Sequence, residues 1–270
     1  MLEDLKKIAN DIRGDILDLA YQMKTPHIGS ALSCIDILVV LYWNFLKIDS
    51  SIPDANDRDR FILSKGHAAT ALYSILCRRD FFSKELLVTY AKPGSKLIEH
   101  PVYKTVPGVE VTSGSLGHGL SLGLGIALAG RIQNEKFRVF VLLSDGECNE
   151  GSTWEAALFA TANRVDSLAV IIDYNKWQAT GRSNEVMALS PLRQKWEAFG
   201  WSSYEIDGHN LEEINQALKK FPDANGRPTV IIANTIKGKG VSFMEDDNNW
   251  HYRIPTEEEM FKAKKELGLL

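Results

Sequence analysis

The chain has 270 residues, of which 44% are hydrophobic and 24% charged, and its formal net charge is −4. That length and apolar content suffice for one substantial core, so a single domain over residues 1–270 is expected. Lys and Arg are dispersed within a mildly acidic balance, which offers no basic field to nucleic acid and excludes DNA and RNA as partners.

The opening segment, MLEDLKKIANDIRGDILDLA, places Leu2, Leu5, Ile8, Ile12, Ile16 and Leu19 at steps of three and four, the mark of one buried helical face. Its mixed charges run through the apolar positions, unlike a signal sequence or transit peptide. After a Thr25-Pro26 break, Ser33 is the expected N-cap of a strongly apolar helix, IDILVVLYWNFL, that ends before Pro53. Apolar runs at 61–63, 139–143, 168–173 and 229–233 read as strands buried on both faces, and 203–206 reads as a further one. Helical patterns at 151–163, 192–199 and 211–219 lie between them. The expected fold class is therefore α/β, doubly wound, with a mostly parallel sheet and helices on both faces. Residues 221–228 read as a connecting loop. The weakly polar stretch 114–130 contains His118 and many glycines and is shorter than the roughly 20 apolar residues of a membrane helix, so no membrane partner is expected. Cys34, Cys77 and Cys148 form no CxxC pair and are odd in number, which suits reduced thiols in a cytoplasmic protein.

The run VFVLLSDGECNEG sets Asp145-Gly146 directly after a buried strand, so a carboxylate emerges at the strand's carboxyl end, where open α/β sheets bind ligands. The run LAVIIDYN ends at Asn175, whose amide oxygen would project from the same edge. With a carbonyl from Trp177 these are oxygen ligands for Mg²⁺, leaving other positions to phosphate oxygens and water, and Ca²⁺ or Mn²⁺ could use the same set. Either feature alone is ordinary turn chemistry. Together with Glu150-Gly151, which opens a helix, they resemble the thiamine-diphosphate signature, a GDG opening followed some thirty positions later by Asn; Ser144 stands in place of the first Gly.

Other segments narrow the resemblance to transketolases. RDRFILSKGHAATALYS, GVEVTSGSLGHGLSLGLGIALA, DGHN and KGKGVSFMEDDNNWH look like successive transketolase motifs, covering the first third to half of a full-length enzyme. The resemblance implies that His27, His67, His100 and His251 act at the cofactor or on sugar hydroxyls, since an imidazole exchanges protons near neutral pH. It implies cofactor contacts from His67, Gly114, Leu116, Asp145, Gly146, Glu147, Glu150, Asn175, Lys237 and His251, and metal ligation by Asp145, Asn175 and Trp177. His118 reads as a supporting residue and His209 as a turn residue. His27 sits in TPHIGS, whereas the family more commonly shows GHPG, which opens the sugar pocket to change.

By the same resemblance the chain transfers a two-carbon ketol unit between sugars or sugar phosphates, with thiamine diphosphate and Mg²⁺. The pyrimidine-binding domain is expected on a second transketolase subunit, giving an α2β2 heterotetramer in cytoplasmic carbohydrate metabolism. Three other readings remain open: a specialised transketolase-like enzyme for a modified sugar, the α subunit of a 2-oxo acid dehydrogenase, and a non-catalytic binding paralogue.

Overall fold

The computed structural model describes residues 2–270. The long amphipathic helix α1 (Leu2–Met23) is followed by α2 (Ile28–Ser33) and α3 (Ile35–Val40), the latter running on through a wider π turn at Leu41–Phe45. Strand β1 (Arg60–Leu63) leads through a tight turn at Gly66–Ala68 into α4 (Ala69–Arg78), and a short α5 (Lys84–Leu87) precedes α6 (Gly119–Ile132). Strand β2 (Val139–Ser144), a turn at Asp145–Asn149, α7 (Gly151–Ala162) and β3 (Leu168–Tyr174) form the centre of the chain. A two-stranded ribbon, β4 (Trp177–Gln178) with β5 (Gly181–Arg182), precedes α8 (Ser183–Val186) and α9 (Leu192–Ala198). Last come β6 (Ser202–Asp207), α10 (Leu211–Leu218), β7 (Thr229–Asn234) and α11 (Glu257–Glu266).

The main sheet has five parallel strands in the order β1-β2-β3-β7-β6. Successive side chains on a strand point to opposite faces, and here both faces are apolar. Phe61, Phe140, Leu142, Ile171 and Ile231 pack with α1, α3, α4 and α10 in one core. Ile62, Val141, Val170, Ile172 and Ile232 pack with α6, α7 and α9 in the other. This is the doubly wound class expected from the runs. The edge position of β6 explains its weaker hydrophobicity: burial fades along it from Ser202 and Ser203 to exposed Glu205.

One expectation is corrected. Ser33 does not cap a helix beginning at Ile35; it ends α2, and its hydroxyl donates to Asp173 Oδ2 at 2.6 Å. A side chain committed to a buried carboxylate cannot also satisfy the free N–H groups of the next helix, and the chain bends at Cys34 instead. The apolar run is consequently divided between α3 and the π turn, which ends at Phe45.

Asp173 itself organises the carboxyl ends of the strands. Fully buried at the end of β3, it pairs with the fully buried Lys65 ammonium at the end of β1 and accepts the Thr235 hydroxyl from the end of β7. Lys65 also donates to the Ser30 carbonyl of α2 at 2.9 Å. The pair holds the Asp173 carboxyl below its ordinary value against the opposing effect of burial. Every strong hydrogen-bonding direction of the carboxylate is taken, the condition under which a buried ion pair is tolerated.

Removing one partner of such a pair strands a charge. Asp173→Ala is expected to lower unfolding free energy by about 3–5 kcal/mol, and the double change Lys65→Met with Asp173→Leu by less. Urea titration of both variants checks this, and a loss below about 1 kcal/mol in Asp173→Ala would contradict it.

Candidate active site

Register places Ser144 of β2 beside Asp173 of β3, so Asp145 and Asn175 leave adjacent strands at one edge of the sheet. Asp145 is 1% exposed; it accepts the Lys176 N–H at 2.9 Å and the Ser183 hydroxyl at 2.7 Å on one oxygen, and the Gly146 N–H at 2.8 Å on the other. Burial nevertheless pushes its carboxyl up to about 6. Asn175 turns its amide oxygen toward the Trp177 N–H at 3.0 Å and lies within 3.5 Å of Asp173. Among the described residues no group of three or more His, Cys, Asp or Glu side chains could hold a metal ion. What the edge offers is one desolvated carboxylate, one amide oxygen and nearby carbonyls. That donor set fits a hard divalent cation bringing oxygen ligands of its own, as a diphosphate would supply, and does not fit a zinc-type site.

Serine in place of the first glycine of the signature is readily accommodated. Ser144 has φ −85° and ψ 160°, an extended conformation open to any residue, and it caps the following turn together with Glu147. Glu147 lies beneath that turn, fully buried. Its carboxylate accepts the Ser64 hydroxyl, the Gly117 N–H at 3.0 Å and the Ser144 N–H at 2.9 Å, tying the ends of β1 and β2 to the 114–117 turn. Its side chain is thus spent on the scaffold beneath the Asp145-Gly146 turn.

Four histidines expected to act together converge. The His27 ring lies 4.8 Å from that of His251, 5.4 Å from His67 and 6.3 Å from His100, centroid to centroid. Three different kinds of segment deliver them: the start of α2, the Gly66–Ala68 turn, and the loops holding His100 and His251. His27 has φ 71°, a left-handed conformation uncommon for a side-chain-bearing residue, and its backbone N–H donates to the His251 carbonyl at 2.8 Å. Gly114 makes room for His100: a Cβ there would stand 3.1 Å from the ring, and its φ of 150° also favours glycine.

Fully buried Lys237 joins the cluster, donating to Asn248 Oδ1 at 2.7 Å and to His251 Nδ1 at 3.0 Å. The acceptor role of Nδ1 leaves the His251 proton on Nε2. Burial, with the Lys65 charge adding to it, brings Lys237 down to about 8. Burial and neighbouring positive charge bring His27 down to about 4 and His251 to about 3, and drive His67 well below the ordinary imidazole value. At neutral pH these rings are uncharged, each with one N–H and one lone pair for hydroxyl chemistry. His27 Nδ1 is buried without a hydrogen-bond partner in the structure, so this polar group is open to a ligand.

The remaining candidates are less central. Leu116 is half-buried in the turn and Glu150 is exposed at the start of α7, packed against Gly117. His118 is exposed and contacts the Leu116 carbonyl. His209, read from sequence as a turn residue, bridges Asp36 at 2.8 Å and the Ile236 N–H at 2.8 Å, anchoring the residue before Lys237. Lys65, Asp173, Ser33 and Thr235 were not among the candidates. Their signal was a charged residue at the end of a doubly buried strand, in SKGHA and IIDYN, which calls for a buried counter-charge.

The family profile described as "Transketolase, thiamine diphosphate binding domain" matches residues 5–270. The chain is 39% identical to one of the two-chain-type relatives, an apulose-4-phosphate transketolase subunit from Phocaeicola vulgatus, covering 99% of this chain and 95% of that one. It is 42% identical to a 6-deoxy-6-sulfo-D-fructose transketolase subunit from a Clostridium species, covering 96% and 94% respectively. Against solved structures it superposes on transketolase from Campylobacter jejuni with a TM-score of 0.91 and 32% identity, covering 98% of this chain but 42% of that longer one.

The depressed imidazoles carry a pH signature. Between pH 6.5 and about 4 the unfolded chain takes up a proton at His27 that the folded chain refuses, so this group's contribution to stability is lost as pH falls through that window. Asp145, raised to about 6, works in the opposite sense over part of the same range. The difference between wild type and His27→Gln isolates the imidazole: in urea titrations the variant is expected to lose less stability than wild type from pH 6.5 to 4. Equal losses would contradict the assignment.

Proposed function

The chain belongs to the transketolase family, and on that footing we propose that it is the diphosphate-binding subunit of a two-chain transketolase using thiamine diphosphate and Mg²⁺. A second subunit carries the pyrimidine-binding domain, and two such pairs assemble by two-fold symmetry as α2β2. The subunit names of the Phocaeicola and Clostridium relatives, both matched over nearly their whole length, support the division into two chains. Three free cysteines support a reducing, cytoplasmic setting.

The observation that carries the reading is the joining of a cation-ready edge, Asp145 with Asn175, to a cluster of four imidazoles and Lys237 around one end of the sheet. Asp145, Asn175 and the Trp177 carbonyl hold the metal; the Gly146 and Gly114 to Leu116 turns lie against the cofactor, with Glu147 supporting and Glu150 at the rim. Bound thiamine diphosphate supplies a nucleophilic carbon able to carry a two-carbon ketol unit from a ketose to an aldose. His27, His67, His100 and His251 bind the sugar hydroxyls and move their protons. Negative charge arriving with the cofactor raises these imidazoles toward neutrality, where general acid and base work is efficient. Lys237 sets the His251 tautomer, so that ring presents Nε2–H as a donor.

A modified sugar is the favoured substrate class, because the Phocaeicola and Clostridium relatives carry names of that kind. TPHIGS, with His27 in a left-handed conformation, fits a reshaped sugar pocket.

Ketol transfer is to be assayed with xylulose phosphate, apulose 4-phosphate and 6-deoxy-6-sulfofructose as donors, using this chain alone and co-expressed with the chain encoded beside it. Turnover is expected only in the mixture, and robust transfer by the single chain would overturn the two-chain reading. Chelation should abolish turnover and Mg²⁺ restore it. Asp145→Ala is expected to weaken cofactor retention by about 100-fold or more, the upper end of what altered metal surroundings cost; unaltered retention would remove Asp145 from the metal.

A further inference from the structure

The ribbon that follows Asn175 is joined to the loop that carries His251 by contacts that the sheet does not require. Arg182 of β5 meets Asp246 in a two-pronged ion pair, both N–O distances 2.6 Å, and its guanidinium lies 3.8 Å over the Trp177 ring of β4. The Trp177 indole N–H donates to the same Asp246 carboxylate at 2.8 Å. Beside these contacts the Asn248 side-chain amide donates to the Ala179 carbonyl at 3.2 Å. The loop is tied in turn to Lys237, through the Asp246 N–H to the Lys237 carbonyl at 2.9 Å and through the Lys237 ammonium to Asn248. On its other side the ribbon is anchored to Asp145 by the Lys176 N–H and the Ser183 hydroxyl. An unbroken chain of bonds therefore runs from Asp145 through the ribbon and Asp246 to Lys237 and His251.

We propose that Trp177, Arg182 and Asp246 form a clasp that locks the 175–182 ribbon to the 237–251 loop, so that the cation edge and the imidazole cluster are positioned as one unit before any ligand binds. These are positioning residues. Asp246 is the keystone, receiving three hydrogen bonds from two side chains across the junction. Isolated surface ion pairs contribute little, but a planar guanidinium that is both paired at two points and stacked on an indole is the geometry in which such a pair holds a fixed orientation. Its ligand-facing consequence rests on the proposed thiamine-diphosphate site; the clasp itself does not.

Two conservative variants test it. Asp246→Asn keeps the size, the acceptor for Trp177 and a residue type tolerant of the local φ of 59°, while removing the charge. Arg182→Lys keeps the charge but loses the fork and the stack. Hydrogen exchange of the cofactor-free chain is expected to rise about tenfold in both 176–182 and 244–251 for either variant, with the double variant no worse than the singles. Trp177 fluorescence should shift in parallel, and the dissociation constant for thiamine diphosphate with Mg²⁺ should rise about tenfold. Unchanged exchange, or faster exchange in one segment without the other, overturns the clasp. Coupled exchange in a chain that binds no thiamine diphosphate in any form upholds the clasp and overturns the proposed cofactor site instead.

Discussion

The buried ion pair between Lys65 and Asp173 sets the geometry on which the site depends. Charge without access to water is costly, and its cost is met here by bonds that reach into α2, β1, β3 and β7 at once. Those bonds hold the carboxyl ends of the strands and the start of α2 in a fixed relation. The carboxylate and amide of the cation edge leave two of these strand ends, and His27 precedes α2 by a single residue. A purely apolar packing of the same elements would leave that relation to shape alone, which is less directional than a hydrogen-bonded charge.

Positive charge is concentrated behind the imidazoles. Lys65 and Lys237 are both completely buried, and together with desolvation they keep His27, His67 and His251 neutral. Such a region suits a polyanion: the same ammonium groups that disfavour imidazolium favour diphosphate and the developing negative charge on a sugar oxygen. Asp145 faces the complementary situation, a carboxylate short of positive charge at the same end of the sheet. The two imbalances are opposite in sign, and a divalent cation with a diphosphate would answer both.

Much of the architecture was legible because the strands are hydrophobic on both faces and lie between helices with a clear period. The runs at 139–143 and 168–173 fall within β2 and β3, and 211–219 covers α10 to within a residue. Elements were missed where the pattern was weak or was read for motif content alone. The segment ATALYSILCR forms α4 directly after the GHA turn, and its buried Leu72, Tyr73, Ile75 and Leu76 have helical spacing. Thr256 and Glu259 make a capping box for α11, a signal visible as T-x-x-E in a segment whose helix is otherwise strongly polar. Helix α2 and the bend at Cys34 had no local signal, since Ser33 is held by a carboxylate far along the chain.

Sequence by itself determined the layer order, the strand ends at which Asp145 and Asn175 emerge, and the set of histidines, because periodicity and strand-end position are local properties and because the motifs resemble those of one family. Tertiary structure decided what those residues face. The pairing of Lys65 with Asp173, the use of Glu147 in the scaffold, the bridging role of His209 and the junction of Arg182 with Asp246 each join segments distant along the chain. No local pattern specifies such pairs: a buried charge announces that it needs a partner, but which partner it finds is set only when the strands and loops are packed against one another.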